Sequence, residues 1–214
     1  MKGRDIKMDQ VKKHTVSIPD YTMGEEICNA VTHGLGALLS AAALTLLAIR
    51  AQGTLPIITV TLFGVAMIQL YTVSCVYHAL SPNLAGKKVM RVIDHCNVYL
   101  LVFGTYLPVA LLGVVAVFTV LGIVLTAIDV DRYQVASVVC HLLSGWSILI
   151  GVPALLRTIG PMGMLYMVLG GVMYSIGAVL YGVGKSKRYR HSVFHVFCLL
   201  GTFCHFWAVY QYLL

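Results

Sequence analysis

Between Asp94 and Asp129 lie 34 residues without a single Asp, Glu, Lys or Arg. As one helix rising 1.5 Å per residue this run would be about 51 Å long, against an apolar bilayer core of about 30 Å. Two shorter helices joined by a tight turn near Leu111-Leu112-Gly113 fit better, with Pro108 and Gly113 as the breakers. Water does not tolerate so long an uncharged stretch on a small globule. The composition agrees: 59% of the 214 residues are hydrophobic and 11% are charged, against a soluble norm of about 25% charged. There are too few charges to coat a soluble particle of this size.

The rest of the chain divides in the same way. A polar tail, 1–26, lacks the apolar h-region of a cleavable signal peptide. It is expected to be flexible, with an amphipathic turn near the membrane. Apolar spans follow at roughly 27–49 and 56–80, then a basic loop, Ser81 to Arg91. After the paired helices of the uncharged run come spans at roughly 134–151, 162–183 and 191–214. The fold expected is an all-α integral membrane protein. It has a cytoplasmic tail, 1–26, and a seven-transmembrane helix bundle, 27–214.

Charge distribution orients it. With seven spans, 13 Lys and Arg fall on the side of the N-terminus and only Arg50 and Arg157 on the other; with six spans the division would be 9 against 6. The stronger bias places the N-terminus in the cytoplasm and the C-terminus outside, in a multi-pass protein of the plasma membrane. The formal net charge of +7 therefore reflects anchoring. Its basic residues form no patch interleaved with aromatics, so nucleic acid is not an expected partner. The six cysteines form no C-x-x-C pair and sit in or beside apolar runs, where cysteine acts as a small hydrophobe.

Ionisable residues within such spans are costly and mark function. His191 and His195 are spaced i, i+4, which places both rings on one helical face. They can share a metal ion, as in zinc motifs with that spacing, or serve as interfacial histidines bonded to carbonyls. The seven-span topology brings His78 and Asp94 to the same cytoplasmic layer, so three histidines and an aspartate from three helices converge there. Ser74, one turn deeper than His78, would orient a ligand or a water, or else bond back to its own helix. Asp94 would face the metal-bound water, or else cap its helix. His205 lies about 21 Å further along the last helix than His191, too deep for a ligand, and reads as a packing hydrogen bond. His95 reads as interfacial. Glu26, Asn29 and His33 share a face, as a polar seam or as support for the site. His141 stands alone and receives no role.

Several runs resemble the hemolysin III family: Glu25-Glu26-Ile27-Cys28-Asn29-Ala30-Val31-Thr32-His33-Gly34, Ser74-Cys75-Val76-Tyr77-His78, Asp94-His95, Gly104-Thr105-Tyr106-Leu107-Pro108, His191-Ser192-Val193-Phe194-His195 and His205-Phe206. They occur in the family's order from residue 25 to the end. The family is similar to the progestin and adipoQ receptors and, more distantly, to alkaline ceramidases. The resemblance implies a seven-helix bundle holding Zn2+ on His78, His191 and His195, with Ser74 and Asp94 beside a zinc-bound water. Three protein ligands leave a fourth zinc position for water, as in catalytic sites. The expected function is metal-dependent hydrolysis of a lipid amide or ester, the substrate entering laterally from the membrane lipids. The alternative is a non-enzymatic, zinc-stabilised, receptor-like sensor or regulator of membrane lipids. Cytolysis, which the family name implies, is the physically weakest mechanism, since the spans carry few charges to line a channel.

Overall fold

A computed structural model describes residues 16–109, 113–183 and 187–214. Among these the regular structure is entirely helical: α1 Met23–Arg50, α2 Thr54–Ala79, α3 Ala85–Tyr106, α4 Gly113–Ile128, α5 Gln134–Trp146, α6 Val152–Val183 and α7 Arg190–Ala208. A 3-10 turn, Ser147–Gly151, joins α5 to α6, and α7 ends in a π turn, Val209–Leu213. Met23–Arg50, Thr54–Ala79, Gln134–Gly182 and Arg190–Leu213 are each long and apolar enough to cross a membrane, and Gly113–Ile128 is a shorter apolar helix. Burial is distributed accordingly. Ile49, Leu55 and Val135 are 78%, 71% and 78% exposed, while Asn29 and Lys87 are fully buried. An apolar outside around a partly polar inside is what lipid permits, and the chain is a multi-pass membrane protein.

The long uncharged run is divided as its length demands, into α3 and α4. Of the expected turn, residues 111 and 112 lie outside the described residues, and Gly113 opens α4.

Three boundaries differ from the sequence reading. α1 starts at Met23, because Thr22 and Glu25 form a capping box: the Thr22 hydroxyl accepts from the Glu25 N–H and the Glu25 carboxylate accepts from the Thr22 N–H. Glu25 and Glu26 therefore lie inside the first turn. α3 starts at Ala85, so Lys87, Lys88 and Arg91 are helical rather than loop. Lys87 and Arg91 are buried against partners, which removes the solvation that would have favoured a loop. Residues 152–159 continue the helix towards Gly160, whose φ of 65° and ψ of 178° break it. Glycine tolerates that positive φ, and Pro161 then restarts the helix, where its missing N–H costs nothing.

Small residues and hydroxyls tighten the bundle. A Cβ added to Gly104 would lie 2.9 Å from the Ala66 Cβ, so α3 approaches α2 closely only as glycine. Tyr71 of α2 bonds Thr202 (2.5 Å) and donates to the Cys198 carbonyl (3.2 Å) on α7. Tyr174 of α6 shares the same Thr202 hydroxyl at 2.6 Å. These bonds lace α2, α6 and α7 together beneath the site.

Candidate metal centre

Two helices bring their histidine ends together. α2 brings His78 within its last turn, and α7 brings His191 and His195 within its first two turns. One ring nitrogen from each of these three residues lies within 4.8 Å of the others, an arrangement that could hold a metal ion. The i, i+4 pair and His78 thus meet.

The outer nitrogens define which atoms are free. His78 Nδ1 lies 2.6 Å from Glu26 Oε2, a carboxylate that only accepts, so Nδ1 carries the proton. The opposite atom, Nε2, is buried without a hydrogen-bond partner. His195 Nδ1 lies 3.2 Å from Thr32 Oγ1 and 3.3 Å from the Asn29 carbonyl. The Thr32 hydroxyl bonds carbonyls of its own helix at 2.8 and 3.0 Å, so His195 donates to it and turns a lone pair inward. His195 Nε2 lies 3.1 Å from His191 Nε2. Two ligands on a tetrahedral zinc, each at about 2.0–2.1 Å, stand about 3.3 Å apart. An imidazole set with its far nitrogens held by a carboxylate and by oxygens is the donor chemistry of a zinc site.

Glu26, Asn29 and His33, flagged as a face of α1, surround this cluster. Asn29 receives the Ser192 hydroxyl on Oδ1 at 2.6 Å. The His33 ring stacks on His195, centroids 3.5 Å apart and planes 9° from parallel, and neither of its nitrogens has a partner. Glu25 reaches α7 from the same turn: its Oε1 accepts the Tyr189 N–H at 2.7 Å. Tyr189 has φ 59°, a left-handed conformation uncommon outside glycine, and it caps α7 just before His191.

Ser74 and Asp94 line one cavity of about 110 Å³ with His33, His95, His191 and His195. That space is large enough to admit water. Ser74 of α2 and Asp94 of α3 thus share one cavity wall. The remaining walls are mostly apolar, with Leu101, Val138, Ala178 and Phe194 among them. His95 is not interfacial as the sequence suggested. Its ring spans the Arg91 carbonyl (2.8 Å) and the Tyr181 hydroxyl (3.0 Å) and forms cavity wall. His205 stands apart from the cluster and bonds the Met167 carbonyl at 3.1 Å, a contact between α7 and α6. His141 stacks edge-on against Tyr99 at 5.5 Å.

The segment before α1 lies over the histidines. Tyr21 stacks on His191, centroids 5.1 Å apart. Ser17 binds Asp131 through both its N–H and its hydroxyl, each at 2.9 Å, and Arg91 donates to the Ser17 carbonyl at 2.7 Å and to Asp131 at 2.8 Å. Burial pushes the Asp131 carboxyl up, but the Ser17 donors and the Arg91 guanidinium outweigh it and hold it below its ordinary value. Burial raises the Tyr21 phenol, which stays neutral over the site. The part of the tail expected to be flexible is therefore docked from residue 16 onward; residues 1–15 lie outside the described residues.

Sequence reasoning missed Lys87, Arg91 and Tyr21 as parts of this assembly. A lysine and an arginine spaced i, i+4 beside a membrane read as anchors, and nothing local marks them as buried.

The family described as "Haemolysin-III related" matches residues 21–206. Hemolysin-3 of Bacillus cereus is 33% identical over 205 residues, covering 89% of this chain and 92% of that protein. The Hemolysin-3 homolog of Bacillus subtilis is 34% identical over 206 residues, covering 90% and 96%. The human Monocyte to macrophage differentiation factor is 23% identical over 174 residues, covering 73% and 71%.

Proposed function

Because the chain belongs to the haemolysin-III-related family, and because one ring nitrogen from each of its three site histidines lies within 4.8 Å of the others, we propose that it is a zinc-dependent membrane hydrolase acting on a lipid amide or ester. The observation that carries this reading is the buried, unpartnered His78 Nε2 facing the His191–His195 pair. His78, His191 and His195 would hold the zinc, which when bound would supply Lewis acidity and make water more acidic there. Asp94 takes up the proton of the attacking water on its carboxylate. Ser74, on the wall of the same cavity, holds that carboxylate in line. The apolar cavity walls support an acyl chain entering from the lipid rather than a soluble substrate.

Purified protein incubated with a panel of ceramides and acyl esters tests the reading. Hydrolysis that is lost on chelation and restored by zinc is the expected result. Stoichiometric zinc without turnover on the panel would instead favour the non-enzymatic sensor or regulator of membrane lipids.

The same arrangement supports seven spans, with the N-terminus cytoplasmic and the protein in the plasma membrane. α2 ends and α7 begins at one face, since His78 meets His191. The intervening chain must then cross an even number of times. α3, α4, α5 with its continuation to Ile159, and the part of α6 after Gly160 supply four crossings. Asp131, in the turn after α4, reaches Arg91 near the start of α3, as two crossings between them require. A reporter fused after Leu214 is expected to read as external; a cytoplasmic signal there would contradict this topology.

A further inference from the structure

We propose that Glu26 and Lys87 are positioning residues for the metal centre, the Glu26 carboxylate bridging the His78 imidazole to a buried lysine. The inference rests on the metal reading above and deepens it. Lys87 is fully buried, a state lysine almost never reaches unpaired. Its ammonium donates to Glu26 Oε1 at 2.5 Å and to the Leu80 carbonyl at 2.7 Å. Leu80 is the residue that caps α2, so Lys87, reaching across from α3, also satisfies an end carbonyl of the helix that carries His78. The ammonium lies 5.3 Å from the Tyr77 ring centroid.

The two Glu26 oxygens are thereby divided. Oε1 is committed to Lys87, and Oε2 is left for His78 Nδ1 at 2.6 Å. Without the lysine the carboxylate could rotate, and without the carboxylate the imidazole could flip or shift its proton to Nε2, which would remove the donor lone pair. The opposite charges of Glu26 and Lys87 cancel, so the pair contributes orientation rather than net charge. His78 differs here from His195, whose Nδ1 meets only neutral oxygens. Outer partners of this kind typically alter metal affinity 10–100-fold.

The test uses the full chain in detergent, with Zn2+ affinity read by competition with a chromophoric chelator and with Co2+ as a spectroscopic probe. Glu26→Gln and Lys87→Met are each expected to weaken Zn2+ binding about 10–100-fold and to shift the visible Co2+ bands. The double variant is expected to be no weaker than the weaker single one, because both act through His78. Glu26→Asp, which keeps the charge, should recover part of the loss. Glu26→Gln preserves side-chain shape and decides the matter if Lys87→Met does not fold. Wild-type protein that binds zinc while Glu26→Gln binds within twofold of it, with an unchanged Co2+ spectrum, would overturn this inference alone. Wild-type protein that binds no zinc would overturn the metal reading and this inference with it.

Discussion

Alanine at His78, at His191 or at His195 is expected to strip the metal from the purified protein, whereas His205→Ala keeps most of it. Each of the three residues supplies one nitrogen to a cluster spanning no more than 4.8 Å. Removing any of them leaves two protein ligands, too few to hold zinc in a site built for three and an open position. The loss should exceed about 100-fold in affinity, the upper end for changes outside the ligand set. His205 is buried like His78 and His195, but its Nε2 is spent on the Met167 carbonyl and its place is between α6 and α7. Its removal costs packing and stability, not metal. Retention of metal by His78→Ala together with its loss from His205→Ala would reverse the ligand assignment.

Asp94→Asn is expected to fold and to hold metal near wild-type levels while hydrolytic turnover falls at least about 100-fold, the low end for a lost general base. Asparagine keeps the size and the capping ability of aspartate but cannot take a proton. Asp94 lies about ten residues into α3 rather than at its start, so a helix cap is not its role. It lines the cavity shared with Ser74, His191 and His195. Unchanged turnover with metal still bound would remove Asp94 from the mechanism, and loss of metal would make it a ligand. Measuring zinc content and initial rate on the same preparation separates the three outcomes.

The sequence makes the histidine pair and its partner legible because they obey short rules. An i, i+4 spacing is read directly, and charge bias predicts which helix ends meet. The break of the uncharged run follows from length alone. What stays hidden depends on tertiary partners. Lys87 and Arg91 look like membrane anchors until Glu26 and Asp131 are seen beside them. His95 looks interfacial until Tyr181, 86 residues away in the chain, takes its Nε2. Residues 152–159 look like a loop because Pro153 and Arg157 interrupt the apolar pattern, yet Pro153 falls in a first helical turn, where it is tolerated. The face made by Glu26, Asn29 and His33 lies between these cases. Its spacing announces a polar seam, but only the fold reveals that the seam packs against the histidines of α2 and α7.

X-ray absorption at the zinc edge of wild-type protein, purified after zinc-replete expression, tests the central claim most directly. The account predicts about one zinc per chain, coordinated by three imidazole nitrogens and one oxygen ligand, with no sulfur. A chain free of zinc, or a sulfur in the coordination shell, would contradict it.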